Sequence, residues 1–147
     1  LMHRLAHNPP PPHDYAPDIV ATISNSLRER CQAAVTAGVD PASIVIDPGL
    51  GFGKTVEQNY ELIGRIHELG ALNYPVLSAA SRKSFIGAAL VAGAGVHQPA
   101  ARVVGSTAVS VMHLLHGVRL FRVHDVAAHR EALAVAAAAI GANGQLK

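Results

Sequence analysis

Three polar clusters in this chain carry residue types suited to chemistry, and each directly follows an apolar run. The first is Asp47-Pro48-Gly49-Leu50-Gly51-Phe52-Gly53-Lys54-Thr55, after Ile44-Val45-Ile46. Ser81-Arg82-Lys83-Ser84 follows the run Pro75 to Ala80, and Arg122-Val123-His124-Asp125 follows Val118 to Phe121. A carboxylate such as Asp47 can accept hydrogen bonds from the amidine-like edge of a heterocycle, while Lys83 donates to the ring's carbonyl or bare nitrogen. Bonds to charged partners of this kind are roughly twice as strong as neutral ones. Arg122 and His124 stand two apart, the strand period that puts side chains on one face, and suit an anionic leaving group. Structural uses compete: Asp47 could cap a helix, and Arg122, His124 and Asp125 could tie the last strand to its helix.

The run Gly51-Phe52-Gly53-Lys54-Thr55 resembles a phosphate-binding loop only superficially. With Gly53-Lys54-Thr55 fixed, the first required glycine falls on Pro48, which has no amide to offer a phosphate. A dinucleotide fingerprint fails too, because Gly49 and Gly51 lack the third glycine three residues on. His113 and His116 have the i, i+3 spacing of a helical metal pair but no third ligand in the sequence, so no metal site is assigned. Cys31, the one cysteine, falls in the series Ile19, Ile23, Leu27, Cys31 and reads as a buried small hydrophobe.

These clusters need strands that end on one face. Helical spacing runs from Asp18 to Gly38, then comes the strand Ile44-Val45-Ile46. Thr55 caps a helix with Val56, Tyr60, Leu62, Ile63, Ile66 and Leu69 inward, closed by Gly70. A strand spans Pro75 to Ala80, a helix Phe85 to Val91, a loop Gly93-Ala94-Gly95 and a long helix Arg102 to His116 stopped by Gly117. Val118 to Val123 is the next strand and Ala127 to Ile140 the last helix, followed by a frayed tail from Gly141 to Lys147. Residues 7 to 17, with Pro9 to Pro12 consecutive, read as an extended loop. Regular alternation with fully apolar strands means a parallel sheet with right-handed crossovers, either doubly wound or part of a (β/α)8 barrel. The barrel accounts for all three clusters together, because barrel enzymes gather function at the C-terminal ends of their strands.

At 147 residues the chain has the length of one ordinary domain, and half of it is apolar with only 15% charged, so a packed α/β protein is expected over a disordered one. The charge of +2 is slight, and no Lys/Arg run or aromatic-interleaved basic stripe of the nucleic-acid type is present. No apolar stretch of about 18 residues suggests a membrane span, and no signal peptide is recognisable. A lone cysteine fits a reducing, cytoplasmic compartment. The opening Leu1-Met2-His3 reads as the tail of a strand, which predicts a fragment.

Taken together, Leu1-Met2-His3, Asp47 to Thr55 with Asn59, Ser81-Arg82-Lys83-Ser84-Phe85-Ile86-Gly87, Arg102-Val103-Val104-Gly105-Ser106 and Arg122-Val123-His124-Asp125-Val126 closely resemble dihydropteroate synthases. No single motif is specific; their order and intervals are. The resemblance covers nearly the whole chain and matches the C-terminal half of that family from the end of strand five onward. It implies that residues 1–147 form a partial (β/α)8 TIM barrel with parallel strands and flanking helices. It further implies a transferase of folate biosynthesis, joining 6-hydroxymethyl-7,8-dihydropterin diphosphate to p-aminobenzoate with magnesium and releasing diphosphate. On this resemblance sulfonamides would compete for the aminobenzoate site, and the complete protein would be a homodimer.

By the same resemblance Asp47 and Lys83 hold the pterin edge, and Arg122 stacks on the ring. Arg122, His124 and the Val123 backbone bind the diphosphate end, with Lys83, Arg122 and His124 as the catalytic set. Met2, Gly51, Phe52, Ser81 and Arg82 shape the aminobenzoate side. The family's magnesium ligand, its strands one to four and their loops have no counterpart here, so the isolated chain is expected to be inactive and, with open strand edges, to self-associate. The sequence departs from the family at Ser78-Ala79-Ala80, where Val-Gly-Ala is usual; the added bulk at Ala79 should tighten the loop. Alternatives are a methyltetrahydrofolate-dependent methyltransferase domain, which would not need the Ser-Arg-Lys-Ser loop, and a catalytically silent paralogue.

Overall fold

A computed structural model describes residues 1–4, 15, 17–90 and 98–142. Helix α1, Ile19–Thr36, starts where Asp18 leaves the helical conformation and accepts the Val20 and Ala21 amides at 2.9 and 3.1 Å, filling two of the donors a helix start leaves open. Its residues Ile19, Val20, Ile23, Leu27 and Cys31 are buried, the stripe that the spacing predicted. Burying each large aliphatic side chain there contributes about 1.5–3 kcal/mol.

Four backbone segments then lie side by side in chain order, all parallel. Met2 pairs with Asp47, Ile46 with Val76, and β1, Leu77–Ser78, with β2, Leu120–Phe121. The hydrogen bonds run from Asp47 N–H to Leu1 O (2.8 Å), Ile46 N–H to Pro75 O (2.9 Å) and Arg122 N–H to Ser78 O (2.9 Å). Neighbours in space are neighbours in sequence with no reversal of strand order, the arrangement of a barrel wall; a doubly wound sheet would reverse at a switch point.

The regular ladder is shorter than the apolar runs. Pro75 has no amide and contributes only its carbonyl, and the backbone beyond Ser78 and Phe121 turns out of the ladder into the polar loops. Short pairing is thus the cost of bending each strand end into a loop.

Thr55 caps helix α2, Val56–Gly64, in a reciprocal box with Gln58, as the sequence suggested. The predicted continuation to Gly70 is not an α-helix. It breaks at Arg65 and proceeds as a 3-10 helix, Ile66–Leu72, closed by Asn73 in the left-handed region at φ 57°. Ile66, Leu69 and Leu72 are all buried, and a spacing of three matches the three residues per turn of a 3-10 helix. The inward face of α2 also differs from the expected one: Asn59, Leu62 and Ile63 are buried, whereas Tyr60 stays partly exposed.

Helix α3 is Ser84–Leu90, α4 Val103–Leu115 and α5 Val126–Ala142; Gly117 ends α4 with φ 91°. Helices α4 and α5 pack together. The core joins α1, α2, the 3-10 segment and the strands through Ile23, Leu27, Ile46, Leu62, Ile63, Ile66 and Leu69. The expected loop at Gly93 to Gly95, most of the proline-rich stretch and the tail from residue 143 lie outside the described residues. Among the described residues no helix is long and apolar enough to cross a membrane.

Candidate active site

The glycine loop is built around three ties. Asp47, with a side chain 7% exposed, accepts the Gly49 amide on Oδ1 at 2.7 Å, which turns the chain sharply off the strand. Gly49 (φ 69°) sits against the first segment so closely that an added Cβ would collide with the His3 carbonyl, and one at Gly51 (φ 80°) would stand 3.0 Å from Lys83 Cδ. Asn59, buried on α2, accepts the Gly51 amide at 2.6 Å and donates to Thr55 O at 2.7 Å, stapling the loop to the helix that follows it.

Lys54 is the third tie. Its Nζ donates to Gly49 O (2.8 Å) and Phe52 O (3.2 Å) and lies 3.2 Å from His3 Nδ1. Three partners match the three protons of an ammonium, so this lysine is committed to the loop rather than held out to a phosphate. Burial lowers its pKa to about 8, helped by the charge of Lys83 and opposed by Asp47.

The second cluster turns on Arg82, a non-glycine residue at φ 60°. Its amide donates to Ser106 Oγ at 2.9 Å, its carbonyl accepts from Arg102 at 2.9 Å, and its guanidinium forks onto Asp125 at 2.9 and 2.5 Å. A left-handed non-glycine costs about 1–3 kcal/mol and persists where its surroundings over-determine it; four polar contacts do so here. The pairing raises the Arg82 pKa and lowers that of Asp125.

Lys83, the next residue, points the other way. Its Nζ bonds the Leu50 carbonyl and lies 4.4 Å from the centre of the Phe52 ring. Burial brings its pKa down to about 8; Asp47 opposes that shift and Arg122 adds to it.

Arg122 places Nη2 3.7 Å from Asp47 Oδ2 with its side chain 65% exposed, free to move onto a ligand. Ser81 Oγ lies 3.2 Å from the His124 amide and 3.1 Å from His124 Nδ1. A cavity of about 250 Å³ opens here, lined by Ala79, Ser81, Lys83, Arg122, Val123 and His124. A larger open groove of about 710 Å³ runs along α1 between Arg28 and Ala37, but it is mostly apolar in lining and shares no residue with the strand ends.

The structure therefore brings Lys83, Arg122, Val123, His124 and Ser81 around one cavity, with Asp47 beside Arg122 and with Gly51 and Phe52 against Lys83. Met2 pairs with Asp47 through the backbone. The Arg82 guanidinium is held by Asp125. Sequence reasoning missed Lys54 and Ser106 as parts of this scaffold, although Lys54 stood inside the most distinctive motif; the structural tie it gave Asp125 is made to Arg82.

His113, weighed in the sequence as half of a metal pair, is fully buried and bonds Ser78 Oγ through Nδ1 at 2.7 Å. Among the described residues no group of three or more His, Cys, Asp or Glu could hold a metal ion.

The model of the family described as pterin binding enzyme matches residues 2–124. The chain is 43% identical over 131 residues to the dihydropteroate synthase of Mycobacterium leprae, covering 88% of this chain and 46% of that protein. Among solved structures, the dihydropteroate synthase of Thermus thermophilus in complex with 6HMPPP superposes with a TM-score of 0.80 at 43% identity, covering 94% of this chain and 51% of that one. The Xanthomonas albilineans dihydropteroate synthase with 4-aminobenzoic acid gives 0.84 at 40% identity, covering 95% and 48%. The chain thus spans about half the length of the relatives it matches, and its parallel, unreversed strand order is that of a partial (β/α)8 barrel. With matched residues running from the first paired segment to the last polar cluster, the chain belongs to the pterin binding enzyme family.

Proposed function

We propose that residues 1–147 are the C-terminal part of a dihydropteroate synthase barrel and carry its pterin and diphosphate contacts. The observation that carries this reading is the convergence of Lys83, Arg122 and His124 on one cavity with the Asp47 carboxylate beside them. Asp47 and Lys83 take the donor and acceptor edge of the pterin. Arg122 swings over the ring, and with His124 and the Val123 backbone it meets the diphosphate. Met2, Gly51, Phe52, Ser81 and Arg82 border the aminobenzoate side, where sulfonamides would compete; Arg82 acts there through backbone shape, since its guanidinium is engaged by Asp125.

In the reaction the bond from the exocyclic methylene to the diphosphate oxygen breaks, its electron pair leaving with the diphosphate. The aminobenzoate nitrogen forms the new C–N bond and loses a proton. No enzyme nucleophile is needed. The contribution of these residues is positioning and stabilisation of charge on the departing group.

Magnesium belongs to the reading, but the donors described here do not form a site for it: Asp47 Oδ1 already accepts the Gly49 amide, and no metal-holding cluster of three such residues exists among the described residues. No step is assigned to it. A homodimer fits the exposed apolar residues Val104, Met112 and Leu115 on α4 and Val126 and Val135 on α5, and a cytoplasmic location fits the free, buried Cys31.

The test is dihydropteroate formation from the pterin diphosphate, p-aminobenzoate and magnesium by this polypeptide, alone and mixed with an N-terminal half from one of the full-length relatives. Activity is expected in the mixture only, and Lys83→Ala or Arg122→Ala should lower it at least about 100-fold, the loss expected from two or more charge-assisted contacts. A folded mixture with no pterin binding and no turnover would overturn the reading.

A further inference from the structure

We propose that Ser81 is a positioning residue that holds His124 as the neutral tautomer protonated on Nε2, so that the cavity always meets an N–H donor rather than a lone pair. The claim about the hydrogen bond stands alone; its use against the diphosphate rests on the proposed function.

The His124 backbone amide, 3.2 Å from Ser81 Oγ, can only donate, so Oγ accepts there. The serine hydroxyl has one proton to give. Among the described residues the one acceptor within reach of it is His124 Nδ1, at 3.1 Å. Ser81 is only 6% exposed, which limits competition from water. With a proton on Nδ1 the oxygen would accept twice and leave its own proton without a partner among the described residues. A lone pair on Nδ1 gives that proton its acceptor, and a neutral imidazole then carries its proton on Nε2.

The consequence lies in what the cavity offers an anion. Ser81 and His124 line it together with Lys83 and Arg122, so an oxygen drawn in by two cations finds a third, oriented donor. The other tautomer would present a lone pair to the same oxygen and repel it. One serine thus reads the backbone and the ring of the same histidine, fixing where the ring stands and which nitrogen is protonated.

The experiment is nitrogen-15 NMR of the chain labelled at histidine, without ligand and near neutral pH, followed by titration with inorganic diphosphate. His124 should show a bare Nδ1 and a protonated Nε2. Ser81→Ala should give a mixture of tautomers and weaken diphosphate binding roughly 3- to 10-fold, the loss of one neutral hydrogen bond. Ser81→Thr, which keeps the hydroxyl, should restore both. A proton found on Nδ1 in the unsubstituted chain would overturn the proposal whether or not Ser81→Ala folds, as would an unchanged tautomer in a folded Ser81→Ala. If the tautomer is as stated and diphosphate does not bind, the functional reading fails while the positioning role stands.

Discussion

Ser78–His113 and Ser81–His124 are the same two residue types joined through the same atoms, Oγ to Nδ1, at the end of β1 and just past it. The first pair is sealed: Ser78 is 2% exposed and His113 0%, and burial drives the His113 pKa down to about 4, with the nearby His116 adding to it. The second borders the cavity between Lys83 and Arg122. Chemistry at such a pair is decided by what else can reach it: the inner pair can only hold helix α4 to the sheet, while the outer one can meet a ligand. Ser78 thus finds its use in the histidine it meets on α4.

The largest effect expected would show whether the outer end is as rigid as the inner. Gly49→Ala combines a left-handed backbone with a collision against His3, and should cost about 3 kcal/mol or more of stability by thermal unfolding. Tolerance of this change would mean that the loop is a pliable surface. Next in size is the acid response of the inner pair. The folded pKa of His113 lies near 4 against an ordinary 6.5, so between these values the unfolded chain takes up a proton that the folded one refuses. Stability should fall as pH drops through that window, by on the order of 3 kcal/mol in all, and His113→Gln should flatten the slope seen in urea titrations at stepped pH.

The two serines give the direct contrast. Ser78→Ala leaves a buried ring nitrogen unpaired and should cost about 2 kcal/mol, whereas Ser81→Ala should cost less than about 1 kcal/mol because the His124 ring it leaves is exposed and can turn to water instead. Equal costs in urea melts would erase the distinction between the pairs. An effect of similar small size has the opposite sign. Lys83→Met removes an ammonium that burial disfavours and should raise stability by about 1 kcal/mol near neutral pH while weakening pterin binding. A loss of stability would mean that the bond to Leu50 outweighs the burial.

Much of the scaffold was legible because its signals are local. The stripe Ile19, Ile23, Leu27, Cys31 announces α1, and an apolar run followed by Asp47, Ser81 or Arg122 marks a strand entering a loop. Because parallel strands all end on one side, the convergence of Asp47, Lys83, Arg122 and His124 could be expected before any coordinates. Apolar spacing up to Gly70 predicts a continuous α-helix, yet Ile66, Leu69 and Leu72 stand three apart in a 3-10 segment and Asn73, not Gly70, takes the left-handed turn. Partner choices were not legible. The sequence cannot state that Arg82 reaches Asp125 or that Ser78 meets His113, because each pair is separated by many residues and chosen by packing around it. Lys54 was hidden for another reason: a motif that suggests phosphate draws attention away from the carbonyls of its own loop.

The side-by-side segments of the sheet have a kinetic consequence. His3 meets Asp47 across 44 residues of chain, and every later pairing also waits for a whole helix to intervene. Loop closure must therefore precede almost all of the reward from strand pairing, so the helices should gain structure first and the sheet last during refolding. The loops that form the cavity sit at the ends of those late strands. The site is therefore among the last parts of the molecule to exist, and a slow phase seen by a probe at Lys83 but not by helical circular dichroism would be its signature.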